Sequence, residues 1–342
     1  QAEDGIRDKL VTGVQTCALP IFEKETLNKL LTMPNDGQST PSVSPDGKRI
    51  VFAQVHRDRD IVEFPLDGSD PRTLLSTDLP EFAPNWSPKG DQFVFVTQRN
   101  GADELWLRSP EGNWDRPVVT VNEFPTLQTI IGPMFSPDGG RIAYTALIAG
   151  GGRRRSLAIS PVSGGTPTVI SDGYAPTWSP DGSTIAFLWL KPDGTIPVAT
   201  LKVGTDDPPT EIVPARGLGA PEWSPDGKWI AVPSARGIEL VSPDGKDPKM
   251  IQGLNGAALT WSRDSKKLYG ITFQALQPSM YEIDVASGTI RKIRDYDLSF
   301  QPLLENLYTG SVRLSLSPDG KSVTTATATS ESDLWMLDGF EK

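Results

Sequence analysis

The chain has 342 residues, with 43 acidic against 33 basic side chains and a formal net charge of −10. That anionic surplus argues against DNA or anionic-membrane binding by this segment, which needs cations to neutralise phosphates. No run of about 18 apolar residues is present to span a membrane. The 32 glycines and 31 prolines are spread evenly along the chain. Average chains hold about 7 % and 5 % of these residues, so the excess points to many short strands joined by turns.

In chain order, residues 1–21 come first and share no pattern with the remainder of the chain. They lack strand alternation, and they have neither the apolar core nor the charge layout of a signal peptide. The string resembles a translated sequencing-adapter read-through, which makes it a non-native or disordered leader, and residues 22–342 are expected to form one domain. The only cysteine, Cys17, lies in this leader, so no disulfide or thiol chemistry is expected. Thr26–Thr32 then reads as a lone strand with apolar contacts from Leu27, Leu30 and Leu31.

From there a repeat organises the chain. Ser-Pro-Asp-Gly stands at Ser44–Gly47, Ser136–Gly139, Ser179–Gly182, Ser224–Gly227 and Ser317–Gly320, with degenerate copies at Ser87–Gly90 and Ser262–Ser265. Steps between successive serines run from 38 to 55 residues, the size of a four-stranded propeller blade. One residue before each serine stand Val43, Trp86, Phe135, Trp178, Trp223, Trp261 and Leu316. Six residues after it stand Ile50, Phe93, Ile142, Ile185, Ile230, Leu268 and Val323. These positions describe a hairpin with one buried face. Proline presets the turn, aspartate bonds its own backbone, and glycine takes the left-handed corner. Third and fourth strands follow each hairpin, for example at Asp103–Ser109 and Pro71–Ser76. A second Ser242–Gly245 string falls where a third-to-fourth-strand turn belongs.

The expected fold is therefore all-β: a seven-bladed propeller of four-stranded antiparallel blades. Thr26–Thr32 is expected to complete the last blade, because that blade lacks a strand and the first motif has one too many.

The aromatic-Ser-Pro-Asp-Gly motif followed by an Ile-x-Phe pattern resembles the WD-like repeats of the TolB family, over about Phe22 to Lys342. Ordinary WD repeats, with their Gly-His pair, do not fit a chain holding one histidine. The ending Asp333–Phe340 resembles the close of propellers behind bacterial winged-helix regulators and kinases. The TolB resemblance implies a non-catalytic interaction or sensing domain in the bacterial envelope, with a periplasmic or extracytoplasmic location. The alternative is the gating propeller of a prolyl-oligopeptidase-type serine peptidase whose hydrolase domain is absent.

Chemistry-bearing motifs are sparse. No Gly-x-Ser-x-Gly nucleophile elbow occurs, and His56 stands alone in a polar turn. One histidine and no authentic cysteine give zinc no site. The motif aspartates supply one carboxylate per loop, which suits turn capping better than calcium. The Arg153–Arg155 run reads as a solvated loop. No enzyme activity, cofactor or metal is expected, and the partner is expected to be a protein bound by a monomer.

Function on such scaffolds sits in loops. The loops from each fourth strand to the next first strand share a face with the second-to-third-strand loops. Glu81, Phe82, Tyr174, Leu218 and Leu254 are the candidate partner-binding residues there. Two long insertions, Val121–Ile131 and Asp295–Gly310, either plug the channel mouth or meet the partner.

Overall fold

The structure is a computed structural model and describes residues 20–23, 26–29, 41–149, 154–214, 219–255, 257–272, 278–297 and 313–338. Two compact units divide it: residues 1–58 with 329–342, and Arg59–Ala328. Among the described residues all regular structure is β.

In the first unit, β1 (Pro20–Glu23) pairs with β2 (Thr26–Lys29), and β3 (Ser42–Val43) pairs with the start of β4 (Arg49–Pro65). The latter hairpin turns through the Ser44–Gly47 motif.

The second unit is a ring of four-stranded antiparallel blades. The end of β4 and β5 (Arg72–Leu75) come first in sequence. Then follow β6 (Glu81–Trp86), β7 (Phe93–Thr97), β8 (Glu104–Arg108) and β9 (Asp115–Val119) as one blade. The next holds β10 (Leu127–Phe135), β11 (Arg141–Ile148), β12 (Arg154–Pro161) and the first part of β13 (Thr168–Trp178). The remainder of β13 opens a third blade with β14 (Thr184–Trp189), β15 (Val198–Lys202) and β16 (Thr210–Val213). A fourth contains β17 (Glu222–Trp223), β18 (Ile230–Ser234), β19 (Gly237–Val241) and β20 (Lys249–Gln252). A fifth contains β21 (Ala258–Trp261), β22 (Lys267–Thr272), β23 (Ser279–Asp284) and β24 (Ile290–Asp295). The last has β25 (Ser315–Leu316) and β26 (Ser322–Asp338) as inner strands, with β4 and β5 outside them.

Each motif turn is built alike. In Ser136–Gly139, the Gly139 amide donates to the Ser136 carbonyl at 2.8 Å. The Ser136 hydroxyl donates to Asp138 and accepts from the Arg141 amide at 2.9 Å, while Asp138 accepts from the Gly140 amide at 2.9 Å. The same network recurs at Ser179, Ser224, Ser262 and Ser317. The motif aspartates therefore spend their lone pairs inside their own turns, as hydrogen-bonding caps.

These turns also fit into one another around the ring. A Cβ added at Gly90 would lie 2.3 Å from Pro318, so this turn seats directly on the last blade's motif. Pro88, Pro137 and Pro180 lie in the same way against Gly139, Gly182 and Gly227. Where the sixth copy has serine instead of glycine, Ser265 takes the left-handed conformation at φ 58°. Its hydroxyl there accepts the Asp226 amide at 3.0 Å. Gly320 completes the circuit against Arg263. Gly47 of the first motif has nothing within 4 Å of the corresponding point.

Apolar cores lie between neighbouring blades. One joins Val94, Val96, Leu105 and Leu107 to Ile130, Ile142 and Tyr144 of the next blade. Full burial of each such side chain stabilises by about 1.5–3 kcal/mol.

The propeller class expected from the repeat is thus present, with two differences. Six blades are complete among the described residues, and a count of seven is not confirmed. The last blade is closed by strands from early in the chain, as expected in kind, but β4 and β5 supply them. Thr26–Lys29 pairs instead with Pro20–Glu23. The physical reason is that β4 and β5, read as the first motif's own third and fourth strands, hydrogen-bond to the last blade's hairpin. The Leu66 amide donates to the Lys321 carbonyl at 2.8 Å, and Ser322 donates to Glu63.

The turns make two outcomes measurable. An alanine at a left-handed glycine costs about 1–2 kcal/mol from backbone strain. Gly90→Ala should exceed that cost because Pro318 blocks the methyl, whereas Gly47→Ala should not; urea denaturation of both variants checks the difference. The serine hydroxyls also hold Asp138, Asp181, Asp264 and Asp319 below the usual carboxylate range. Their contribution is complete above about pH 4, the unfolded carboxylate range, and is lost as pH falls through the depressed values. Stability followed by circular dichroism from pH 6 to pH 2 should drop below pH 4, and less so in Asp138→Asn.

Candidate functional site

The channel side of each blade is its first strand, and the repeat determines what that strand presents. Four residues before the motif serine stand Ala83, Gly132, Ala175, Ala220 and Ala258, and then Arg313. Ala83, Gly132 and Ala175 take φ of 53°, 56° and 59° at register shifts in β6, β10 and β13. A proline follows each of these and has no amide to lose from the ladder.

Two residues before the serine stand Asn85, Met134, Thr177, Glu222, Thr260 and Ser315. This belt ties blade to blade. The Phe135 amide donates to the Asn85 side chain at 2.9 Å, and the Trp223 amide to Thr177 at 3.1 Å. The Trp261 indole donates to the Glu222 carbonyl at 2.9 Å. The Trp86 amide donates to Ser315 at 2.9 Å, which joins the last blade to the β6 blade and closes the ring.

Arg313 and Glu222 depart from the repeat, and they meet. Arg313 Nη1 donates to Glu222 Oε1 at 2.5 Å and also contacts Met134 Sδ at 3.0 Å; Nη2 donates to the Pro176 carbonyl at 2.6 Å. Pro176 belongs to β13, three blades from β25 by either route around the ring. The guanidinium therefore crosses the channel. Both side chains are nearly inaccessible, at 3 % and 8 % exposed. Burial pushes the Glu222 carboxyl up to about 7 against the attraction of Arg313, and burial likewise pulls Arg313 down. Arg313 Nε is buried without a hydrogen-bond partner among the described residues.

A cleft of about 220 Å³ opens at the edge of the β6 blade. Its walls come from the start of β6 (Phe82, Ala83), the β7–β8 loop (Gln98, Gly101, Ala102, Asp103) and the start of β10 (Gln128 to Gly132). The two expected classes of loop thus meet on one face. The Arg59 guanidinium lies 5.2 Å over the Phe82 ring. Asp103 forms the floor, accepting from Gln98 at 2.8 Å and from the Ile130 amide at 3.0 Å, and burial raises its pKa. The Val121–Ile131 insertion builds part of this cleft, with Phe124 packed on the adjoining core and Leu127–Ile131 extending β10.

The candidate partner-binding residues fall in different places. Phe82 lines the cleft. Glu81 is fully buried beside it, accepting from Thr77, with its second oxygen unpartnered and its pKa raised by burial. Tyr174 packs into an interblade core under Arg155, whose guanidinium lies 4.8 Å from the ring. Leu254 sits in another core at 1 % exposure. Leu218, Arg153 and residues 298–310 of the second insertion lie outside the described residues. Sequence reasoning missed Arg59, Asp103, Glu222 and Arg313; for the last two, the signal was their departure from the repeat. Among the described residues no cluster of His, Cys, Asp and Glu could hold a metal, and no helix is long and apolar enough to cross a membrane.

No family model matches the chain. The Tol-Pal system protein TolB of Anaeromyxobacter dehalogenans is 30% identical over 133 residues, covering 37% of this chain and 29% of that protein. The chain therefore matches under a third of that relative's length. Among solved structures, a putative TolB from Agrobacterium tumefaciens superposes with a TM-score of 0.65 at 20% identity, over 80% of this chain and 99% of that one. A puromycin-hydrolysing peptidase of Mycobacterium tuberculosis gives 0.52 at 16% identity, over 91% and 53%. These structural likenesses establish a TolB-like β-propeller fold. They lend no support to the winged-helix kinship or to the adapter origin of residues 1–21.

Removing one partner of a buried ion pair costs about 3–5 kcal/mol. Arg313→Gln should lose stability on that scale in chemical denaturation. Because the folded pKa of Glu222 is raised, its contribution is fully present below about pH 4.5 and is lost as pH rises through 7. Wild-type Tm should accordingly decline between pH 5 and pH 8 relative to Glu222→Gln.

Proposed function

We propose that this chain is a non-catalytic, monomeric propeller that holds a protein partner on the face carrying the Arg59–Phe82 cleft, in an extracytoplasmic compartment. The cleft supports the reading. It combines a stacked cation and aromatic ring, a fixed carboxylate and the open backbone of β10 on a rigid scaffold, a combination suited to recognition. Glu81, Phe82, Tyr174, Leu218 and Leu254 mark the expected face, with Phe82 as its contact and Glu81 and Tyr174 as supports beneath. The TolB relative is named for the Tol-Pal system, which favours an envelope role. No nucleophile elbow occurs in the sequence to favour catalysis by this chain.

The fold likeness to the mycobacterial peptidase favours a second reading, in which the ring gates a peptidase active site. There the same face would admit substrate instead of holding a partner.

A photo-cross-linking residue at Phe82 separates these readings. Capture of one defined protein, lost on adding Arg59→Ala and absent when the probe stands at Thr205 on the β15–β16 turn, is the expected result. Capture only from Thr205, or none from Phe82, would refute the proposed face.

A further inference from the structure

We propose that Arg313 is a carboxylate receptor at the centre of the ring: an anionic group entering the channel takes the place of Glu222 on the guanidinium, and Glu222 takes up a proton as it is displaced. The inference rests on the channel face being the partner surface and names the chemistry recognised there.

Three observations carry it. Five repeats place alanine or glycine at the position of Arg313, so the fold needs no long side chain there. The guanidinium spans the channel to the opposite blade rather than joining its neighbours. Its Nε is a buried donor with no acceptor among the described residues, and an unmet buried donor is destabilising. A carboxylate can take Nε and one Nη together, the bidentate geometry for which guanidinium is suited.

Glu222 makes the exchange reversible. A second anion beside an ionised Glu222 would be a buried charge without a partner. Protonation removes that obstacle, because carboxylate plus a solvent proton enters as a neutral whole, and the O–H bond formed on Glu222 is the one bond made. Among the described residues Arg313 is the one charged group acting on Glu222. Met134 on β10, Pro176 and Thr177 on β13, Ala231 on β18 and Trp261 on β21 carry no charge near it.

The test uses the full chain and thermal shift at constant ionic strength. Acetate is the first probe, with acetamide and chloride as controls. N-acetylglycine then mimics a chain terminus and N-acetyl-aspartyl amide an acidic side chain, and whichever binds more tightly identifies the source. With Glu222 titrating near 7, carboxylate affinity should be about tenfold higher at pH 6 than at pH 8. Glu222→Gln should bind with no pH dependence, and Arg313→Gln should not bind. Should Arg313→Gln fail to fold, the pH profiles of wild type and Glu222→Gln decide. No carboxylate-specific shift, an equal shift at both pH values, or a shift surviving in Arg313→Gln overturns the proposal. A partner cross-linked at Phe82 with no carboxylate effect would sink this inference alone.

Discussion

The ring depends on one fit: each motif turn lies against the corner of the next, through a proline at four of the junctions, through the Asp226 amide at Ser265 and through Arg263 at Gly320. A turn of this kind could be built from many sequences, but only a residue without a side chain lets Pro318 approach Gly90 so closely. The motif is therefore selected twice, once for its own hydrogen bonds and once for its neighbour. That double use ties each ring hairpin to its neighbour. The inner belt of Asn85, Thr177 and Ser315 then locks the strands at the spacing the turns impose.

Much of this was legible in the residues. The motif serine marks every hairpin of the ring, proline and glycine accompany it in all but the Ser262 copy, and the large apolar residue before each serine falls on the strand predicted. Seven motif copies predict seven blades, of which six are complete among the described residues and the seventh is not confirmed. Whether a turn meets a neighbour is a property of the ring and leaves no trace in the turn itself. The strands that close the last blade were misassigned for the same reason, since β4 follows its motif in sequence yet pairs with β26.

The candidate site shows a similar division. Phe82 lies half-buried on β6 and lines the cleft. Tyr174 occupies the equivalent place in its repeat, yet it is buried by its interblade core. Position in a repeat fixes the backbone, while the neighbouring blade decides whether a side chain is lost to packing. Arg313 and Glu222 lay in plain view as breaks in an otherwise small and mostly uncharged series, but only the closed ring shows that they meet across it.

The closure through β4 and β26 also bears on how the molecule is made. Glu63 bonds Ser322, a partner 259 positions away in the chain. During synthesis the early half-blade emerges first, and its ladder groups stay open until Ser322 and its strand have emerged. Such a high-separation pairing slows folding, and a waiting strand edge invites mispairing. Quality-control factors that shield β-edges should thus matter more to the yield of this protein than to its stability once the ring is shut.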